Sequence, residues 1–411
     1  MSGEHGESLE SDSLAMQRRK AMTGGESASA PLSDAGESHP RVLRLGLLCN
    51  SPSPHQVDLL NALGARPDVD VFVGYAFPGN PNRPWGRPVP SGLRWEVMPS
   101  GAAATLRNRI GHWLDAQQRD VWIITSNYTA VRTHLVARHL HRRGICWAYM
   151  AEPPIPTAWW KEPVRRLIVR SLLRRAHGLA STGAEALRRY EGLAPPGILT
   201  ASVPYYQSLE MFHRLPLPAP PKAGEPFRFV SVSNLLPRKG LFCLLEACSR
   251  LPGTGWSLDI YGRGPLQAKL SRQIHRLGLP VKLCGIVPYA ERPRMYQGYH
   301  CLVFSSLFDG WGMALPEALA AGLPVIATDM IMSAHEFVRN GENGFIGPAS
   351  DPGFLATAMR HYLEHPDRLV AAGPSARASL SNYEPRTGAE RVIQFASQLA
   401  QTTSRRIREG T

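Results

Sequence analysis

Five prolines between Leu215 and Pro226 divide this 411-residue chain into two stretches that read alike. The segment Leu215-Pro-Leu-Pro-Ala-Pro-Pro-Lys-Ala-Gly-Glu-Pro226 suits neither a helix interior nor a strand interior, because proline lacks the amide hydrogen both ladders use. Before it, the apolar runs Val42–Cys49, Val69–Gly74, Val121–Thr125, Ile145–Met150 and Gly178–Ser181 read as strands. Helical patterns at Thr129–Arg142 and Trp159–Arg175 fall between them. After it, strands are expected at Phe227–Val232, Ser257–Tyr261, Val281–Cys284, Cys301–Ser305 and Pro324–Thr328. Helices are expected at Leu241–Arg250, Leu266–Leu277 and Pro316–Ala321. Alternation of this kind implies parallel sheets with crossover helices on both faces. The fold class expected is therefore α/β, with two Rossmann-like domains and a cleft between them.

The expected organisation is a disordered tail over 1–40, a first domain over 41–210, a linker over 211–226, a second domain over 227–385, and a C-terminal helix and tail over 386–411. The tail has no Phe, Trp or Tyr and is rich in Ser, Gly and Glu, too little apolar surface to offset its ordering entropy. It carries seven acids against three bases, so the net charge of +13 leaves +17 on the remaining chain. A basic body points to an anionic partner: a phosphorylated small molecule, a membrane surface or nucleic acid. No apolar stretch is long enough for a transmembrane helix, and the acidic start lacks the apolar block of a secretory signal. The six cysteines form no C-x-x-C pair and read as free thiols in a reducing compartment, so a cytoplasmic location is expected.

Chemistry concentrates in Phe304-Ser-Ser-Leu-Phe-Asp-Gly-Trp-Gly-Met-Ala-Leu-Pro-Glu-Ala-Leu-Ala-Ala-Gly-Leu-Pro-Val-Ile326, a strand end, a glycine-bearing loop and a short helix. Pro316 suits the first helical position. Gly310 and Gly312 let backbone approach a ligand, and N–H groups entering the helix offer a phosphate site. A carboxylate beside phosphate would repel it, so Glu317 should accept hydrogen bonds from sugar hydroxyls or else pair at the helix start.

This segment resembles glycosyltransferase family 4, retaining nucleotide-sugar transferases of the GT-B fold. The family signature is an acid, seven residues, then Glu, followed by a small-residue helix and G-x-P-V. Here these are Asp309, Glu317 and Gly322-Leu-Pro-Val325. The resemblance extends to Asn234-Leu-Leu-Pro-Arg-Lys-Gly240, Tyr261-Gly-Arg-Gly-Pro265, Val281-Lys-Leu-Cys-Gly-Ile-Val287 and Asn340-Gly-Glu-Asn-Gly-Phe345. In the first half, Pro52-Ser-Pro-His55 and the Arg-rich helix leading to Ser181-Thr-Gly183 look similar to members acting on bacterial cell-surface glycans.

The resemblance implies a metal-independent hexosyltransferase that needs no cofactor beyond its UDP- or GDP-linked sugar donor. Its acceptor would be a glycan or a lipid-linked molecule in cell-surface polysaccharide biosynthesis, with no nucleic-acid partner. It implies that Glu317 binds the ribose hydroxyls and Asp309 the donor sugar. The backbone of Gly310, Trp311, Gly312 and Met313 would line the sugar and diphosphate, and Lys239 would neutralise the leaving diphosphate. Asn234, Arg238, Gly264 and Gly285 would complete the donor side. Two residues depart from the pattern: Asp309 is one methylene shorter than the usual Glu, and Asn234 stands where the motif has Arg. Arg238 is the candidate to replace that cation. Glu152, which follows a strand in Ala151-Glu-Pro-Pro154, is a further catalytic candidate, and His55 and Asn127 are assigned to the acceptor side.

Other signals read as structural. Asp68-Val-Asp70 precedes an apolar strand instead of following one, and so reads as a strand entry and not as a metal motif. Gly262 and Gly264 lack the third glycine of a dinucleotide fingerprint, and His134, His139 and His141 lack the spacing of a helical zinc pair. The arginines at 165, 166, 170, 174 and 175, with Trp159 and Trp160 before them, suit either a solvated helix face or an anionic lipid surface on the inner side of a membrane. The readings weighed against a transferase are a non-catalytic protein on the GT-B frame, a nucleotide-sugar epimerase and a phosphorylase.

Overall fold

The computed structural model describes residues 42–79 and 88–408; the tail expected at 1–40 lies outside them. The first half runs β1 (Leu43–Cys49), α1 (Pro54–Gly64), β2 (Val69–Tyr75), β3 (Arg94–Val97), α2 (Ala103–Gln117), β4 (Val121–Ile124) and α3 (Val131–Arg142). It continues with β5 (Cys146–Ala151), α4 (Glu162–Leu173), β6 (Gly178–Ser181), α5 (Ala184–Arg188), β7 (Leu199–Ser202) and α6 (Glu210–His213). The second half runs β8 (Phe227–Val232), α7 (Leu241–Cys248), β9 (Trp256–Tyr261), α8 (Gln267–Leu277), β10 (Val281–Gly285) and β11 (Cys301–Phe304). Then come α9 (Ala314–Ala320), β12 (Val325–Thr328), α10 (Met332–Phe337), β13 (Gly344–Gly347), α11 (Pro352–Glu364), α12 (Leu369–Ala378) and α13 (Pro385–Arg408). Short 3-10 turns at Pro237–Lys239 and Tyr289–Met295 interrupt this second series.

Two all-parallel sheets result. The first has seven strands in the order β3-β2-β1-β4-β5-β6-β7, the second six in the order β10-β9-β8-β11-β12-β13. Both reverse direction beside their first strand, the doubly wound order that opens a crevice at the strands' carboxyl ends. The expected pair of Rossmann-like sheets is thus what the chain forms. The segment 214–226 carries no helix or strand, as its prolines require, and the line drawn at 210/211 falls at the start of α6.

Strand side chains alternate between two apolar layers, as a period of two demands. In β4, Val121 and Ile123 face a core shared with α1 and α13. Trp122 and Ile124 face the opposite core, shared with Ile110 of α2, Val136 and Leu140 of α3, and Leu172 of α4. Helices α2, α3 and α4 therefore cover one face of the first sheet. The other face is closed by α1 together with α13, which returns from the far end of the sequence to place Val392, Phe395, Ala396 and Leu399 there.

Several boundaries differ from the sequence expectation. The helix expected at Pro316–Ala321 starts two residues earlier, at Ala314. Proline is accommodated because the first four helical N–H groups have no intrahelical acceptor anyway. The pattern read over Trp159–Arg175 is helical only over Glu162–Leu173. Strands β3, β7 and β13 were not anticipated; each has only four residues and sits at or near a sheet edge, where the apolar pattern is weakest. Asp68 and Asp70 flank the start of β2 and bond to Arg66 and Arg119, as a strand entry would. His134 bonds the carbonyl of Tyr128, and His139 pairs with Asp115. No disulfide joins any of the six cysteines; Cys243 and Cys284 are only partly buried.

Candidate active site

The carboxyl ends of both sheets meet across a cleft of about 570 Å³. Its floor comes from the second half. The turn Pro237–Lys239 ends at Gly240, whose φ of +65° is left-handed. A Cβ there would overlap the carbonyl oxygen of Ser305, so the residue after the lysine has to be glycine. The turn is fastened to the loop after β11 by Leu307 N donating to Arg238 O at 2.8 Å and Ser305 Oγ donating to Lys239 O at 3.1 Å. That loop is held from its other side, where Asp309 N donates to Met330 O at 2.9 Å.

These ties bring Lys239 and Asp309 into an ion pair between two largely buried side chains. Arg238 reaches the same carboxylate at 3.9 Å while donating to Phe308 O at 3.0 Å. The two adjacent cations thus converge on one acid, because the turn bends between them.

Glu317 lies one turn into α9 and is 3% exposed. It does not cap its own helix. One carboxylate oxygen is ion-paired with Arg292 and accepts from Gln207 Nε2 at 3.4 Å. The other accepts the hydroxyl of Tyr296 at 2.7 Å. Burial pushes the carboxyl above the ordinary range, and Arg292, Tyr296 and Gln207 each pull it back. Beneath the guanidinium lies the ring of Tyr289, 3.7 Å from Arg292 Cζ to the centroid.

The first half supplies the roof. Glu152, directly after β5, bonds the hydroxyl of Tyr205 and faces Asp309; burial first, then Asp309, raise its carboxyl above the usual range. A Cβ on Gly310 would fall on the Glu152 carboxylate, so a glycine lets the two halves close here. Thr182 Oγ1 donates to Gly310 O at 2.8 Å across the same seam. His55, at the start of α1, lies 5.3 Å from the Tyr205 ring. Burial, and then Arg292, lower its pKa to about 4, so the imidazole is neutral near pH 7.

Of the residues singled out in sequence, Lys239, Asp309, Glu152, Asn234, Arg238, Trp311, Gly312, Met313, Glu317 and His55 line this cleft. Gly310 lies on its seam. The Trp311 ring is turned into the core against Tyr383 and Phe337, leaving its backbone to the cleft. Gly264 packs on the backbone of Leu235 and supports the Asn234 loop from behind. Gly285 ends β10 with φ +75° and accepts from Gly262 N at 2.6 Å. Asn127 stands apart: it is exposed, and its Oδ1 caps the turn into α3 through Thr129 N at 3.0 Å.

Arg292, Tyr296, Gln207 and Tyr205 were not read from the sequence. Gln207 and Tyr205 lie outside any helix or strand, Arg292 lies in the short 3-10 turn that Tyr296 closes, and only the fold carries them to Glu317 and Glu152. Among the described residues, no group of three or more His, Cys, Asp or Glu could hold a metal ion.

Residues 217–384 match the family model described as glycosyl transferases group 1. Over 155 residues the chain is 34% identical to the D-rhamnosyltransferase WbpZ of Pseudomonas aeruginosa, covering 37% of this chain and 39% of that one. Over 171 residues it is 28% identical to the GtfA subunit of the UDP-N-acetylglucosamine–peptide N-acetylglucosaminyltransferase of Streptococcus gordonii, covering 40% of this chain and 33% of that one. The chain thus spans between a third and two fifths of the length of these curated relatives. Among solved structures, Anabaena HepE in complex with UDP superposes with a TM-score of 0.70 at 17% identity, covering 87% of this chain and 100% of that one. Sucrose-phosphate synthase from Thermosynechococcus elongatus gives the same score and identity, with 88% and 100% covered. At that identity the likeness is one of fold, and the fold is GT-B.

Proposed function

We propose, from the premise that residues 217–384 are a group 1 glycosyltransferase domain, that this chain moves a sugar from a nucleotide-sugar donor to a hydroxyl of a glycan or lipid-linked acceptor. The observation that carries the reading is convergence. Lys239, Asp309 and Glu317 from the second half meet Glu152 and His55 from the first in one cleft. Donor would bind the second half (227–385) and acceptor the first (41–210), with the linker 211–226 joining them. The pathway we propose is cell-surface polysaccharide assembly, and the location the cytoplasmic side of a membrane.

In the mechanism we favour, the donor's C1–O bond to diphosphate breaks as the acceptor oxygen bonds C1 from the same face, so configuration is retained. The hydroxyl proton passes to the departing diphosphate oxygen, and no separate base is needed. Charge accumulating on that diphosphate falls beside Lys239 and Arg238, fixed cations aimed where negative charge develops. Asp309 orients Lys239 and, with the Gly310–Met313 backbone, accepts hydroxyls of the donor sugar. Glu152, whose carboxyl is raised toward its neutral form, can donate to the sugar or the acceptor as well as accept. Glu317 would receive the ribose hydroxyls, and the buried Gln207 Oε1, which lacks a hydrogen-bond partner, offers a second acceptor on the same wall.

The scheme draws on no cofactor, and the test includes a chelator arm that reads whether a metal takes part. A panel of nucleoside diphosphates, UDP and GDP first, is titrated with and without EDTA while thermal stability is followed. A shift selective for one base, insensitive to EDTA and lost in Glu317→Ala, is the result expected. No shift with any base would overturn the donor-site reading in favour of a non-catalytic protein on the same frame.

A further inference from the structure

We infer that the outer face of helices α2, α3 and α4 is a docking surface for an anionic phospholipid bilayer, with Trp159 and Trp160 as its inserted anchors. The inference deepens the membrane-side location proposed above by naming the surface, and its evidence is independent of the catalytic reading.

The apolar part of the surface comes first. Helix α4 buries Val169, Leu172 and Leu173 against the sheet. A second stripe points outward: Trp160, Val164 and Leu167, at spacings of four and three, are 61%, 60% and 66% exposed. Trp159 is 86% exposed. Isolated exposed apolar side chains are ordinary, but two tryptophans and two aliphatics aligned on one short stretch form a patch. Tryptophan favours the headgroup level of a bilayer, where its ring meets acyl chains and its N–H stays wet. Lys161 Nζ lies 4.6 Å from the Trp160 centroid, a cation held at the same level.

The charge on the same three helices selects the partner. Arg107 of α2, Arg138 and Arg142 of α3, Lys161, and Arg166 and Arg174 at α4 are exposed. The three helices carry two acids between them, Asp115 and Glu162. Both are already engaged, Asp115 by His139 at 2.8 Å and Arg143 at 3.5 Å, and Glu162 by Arg165. A face with basic residues free and acids neutralised is complementary to anionic headgroups, each basic side chain near such a surface strengthening binding about fivefold. No described helix is long and apolar enough to cross a membrane, so this is surface attachment of the kind amphipathic basic helices make.

The patch is also tethered to the cleft. Glu152 and Trp159 are seven residues apart in sequence, so at most about 25 Å separates them. Docking through Trp159 brings the roof of the cleft, where the acceptor is placed, close to the headgroups. That geometry suits a hydroxyl carried on a lipid better than one on a free polymer.

The test is co-sedimentation of the full chain with vesicles of phosphatidylcholine alone or with about one-third phosphatidylglycerol. Expected is binding to the anionic vesicles, weakened by salt and lowered at least tenfold in Trp159→Ser/Trp160→Ser and in Arg166→Glu/Arg174→Glu. The nucleoside-diphosphate thermal shift of both variants should equal wild type, which shows the fold intact and separates this proposal from the donor-site reading. Equal binding to neutral vesicles, or no binding to either, would overturn it. So would a concentration-dependent dimer that the tryptophan variant dissolves, since the patch would then face a second copy of the chain.

Discussion

Removing Arg292 should destabilise the protein by an amount that grows with pH. The Glu317–Arg292 pair is deeply buried, with 4% and 15% of the side chains exposed. Stripping one partner from such a pair typically costs about 3–5 kcal/mol, and the residual exposure of the arginine favours the lower figure. Unfolding a 411-residue chain releases about 0.9 kcal/mol per kelvin, so about 3 kcal/mol lowers Tm by about 3–4 °C. The pH dependence follows from the raised carboxyl. Burial is the largest influence on Glu317 and Arg292 the largest opposing it, so Arg292→Met pushes the carboxyl higher still. A carboxyl whose folded pKa exceeds its unfolded one holds its proton more tightly when folded. Stability is therefore full below the unfolded value and falls as pH rises through the folded one, by at most about 1.4 kcal/mol per pH unit. Scanning calorimetry of wild type and Arg292→Met at pH 5 and pH 8 should show a small Tm gap at the lower pH and the full gap at the higher. In a Glu317→Gln background the same substitution should cost under about 1 kcal/mol. A gap that is equal at both pH values, or unchanged by Glu317→Gln, would refute the coupling.

Two further outcomes follow from the cleft floor. Lys239→Ala should lower turnover about 10-fold to 150-fold, the equivalent of about 1.5–3 kcal/mol for a charge-assisted contact; steady-state rates with the identified donor check this, and wild-type activity would contradict it. Gly240→Ala forces a Cβ into the Ser305 carbonyl at a left-handed position, so it should cost about 1–3 kcal/mol and shift the urea midpoint, whereas Gly278→Ala, also left-handed but with open space around it, should cost less.

Much of the fold was legible because the linker and the strand periodicity are local properties of sequence. Leu215–Pro226 announces itself through composition, and Val121–Ile124 through an unbroken apolar run. Part of the cleft was legible for a different reason: Asp309, Gly310, Gly312 and Glu317 lie close together in one segment, where spacing alone carries information. What escaped was whatever the chain assembles at long range. Arg292 meets Glu317 across 25 residues, and Gln207 reaches it across 110. Gln207 lies on no helix or strand and Arg292 only on a short 3-10 turn, and an arginine among 46 basic residues draws no notice. Asn127 illustrates the converse. It was assigned to the acceptor side, but a short polar side chain at a helix entry satisfies local N–H groups first.

The return of α13 to the first sheet has a consequence for how the protein is made. Gly178 of β6 has no room for a side chain because Leu399 and Phe395 fill the space above it, with a Cβ there falling 2.7 and 2.8 Å from them. Until those residues emerge from the ribosome, one face of the first sheet has only α1 to cover part of it, although all seven of its strands were translated long before. The nascent chain therefore carries an open apolar surface for the whole time the second half is being synthesised, when chaperone capture or aggregation competes with folding. The last helix acts as a completion signal: the amino-terminal half can finish its core only when the carboxy-terminal end arrives.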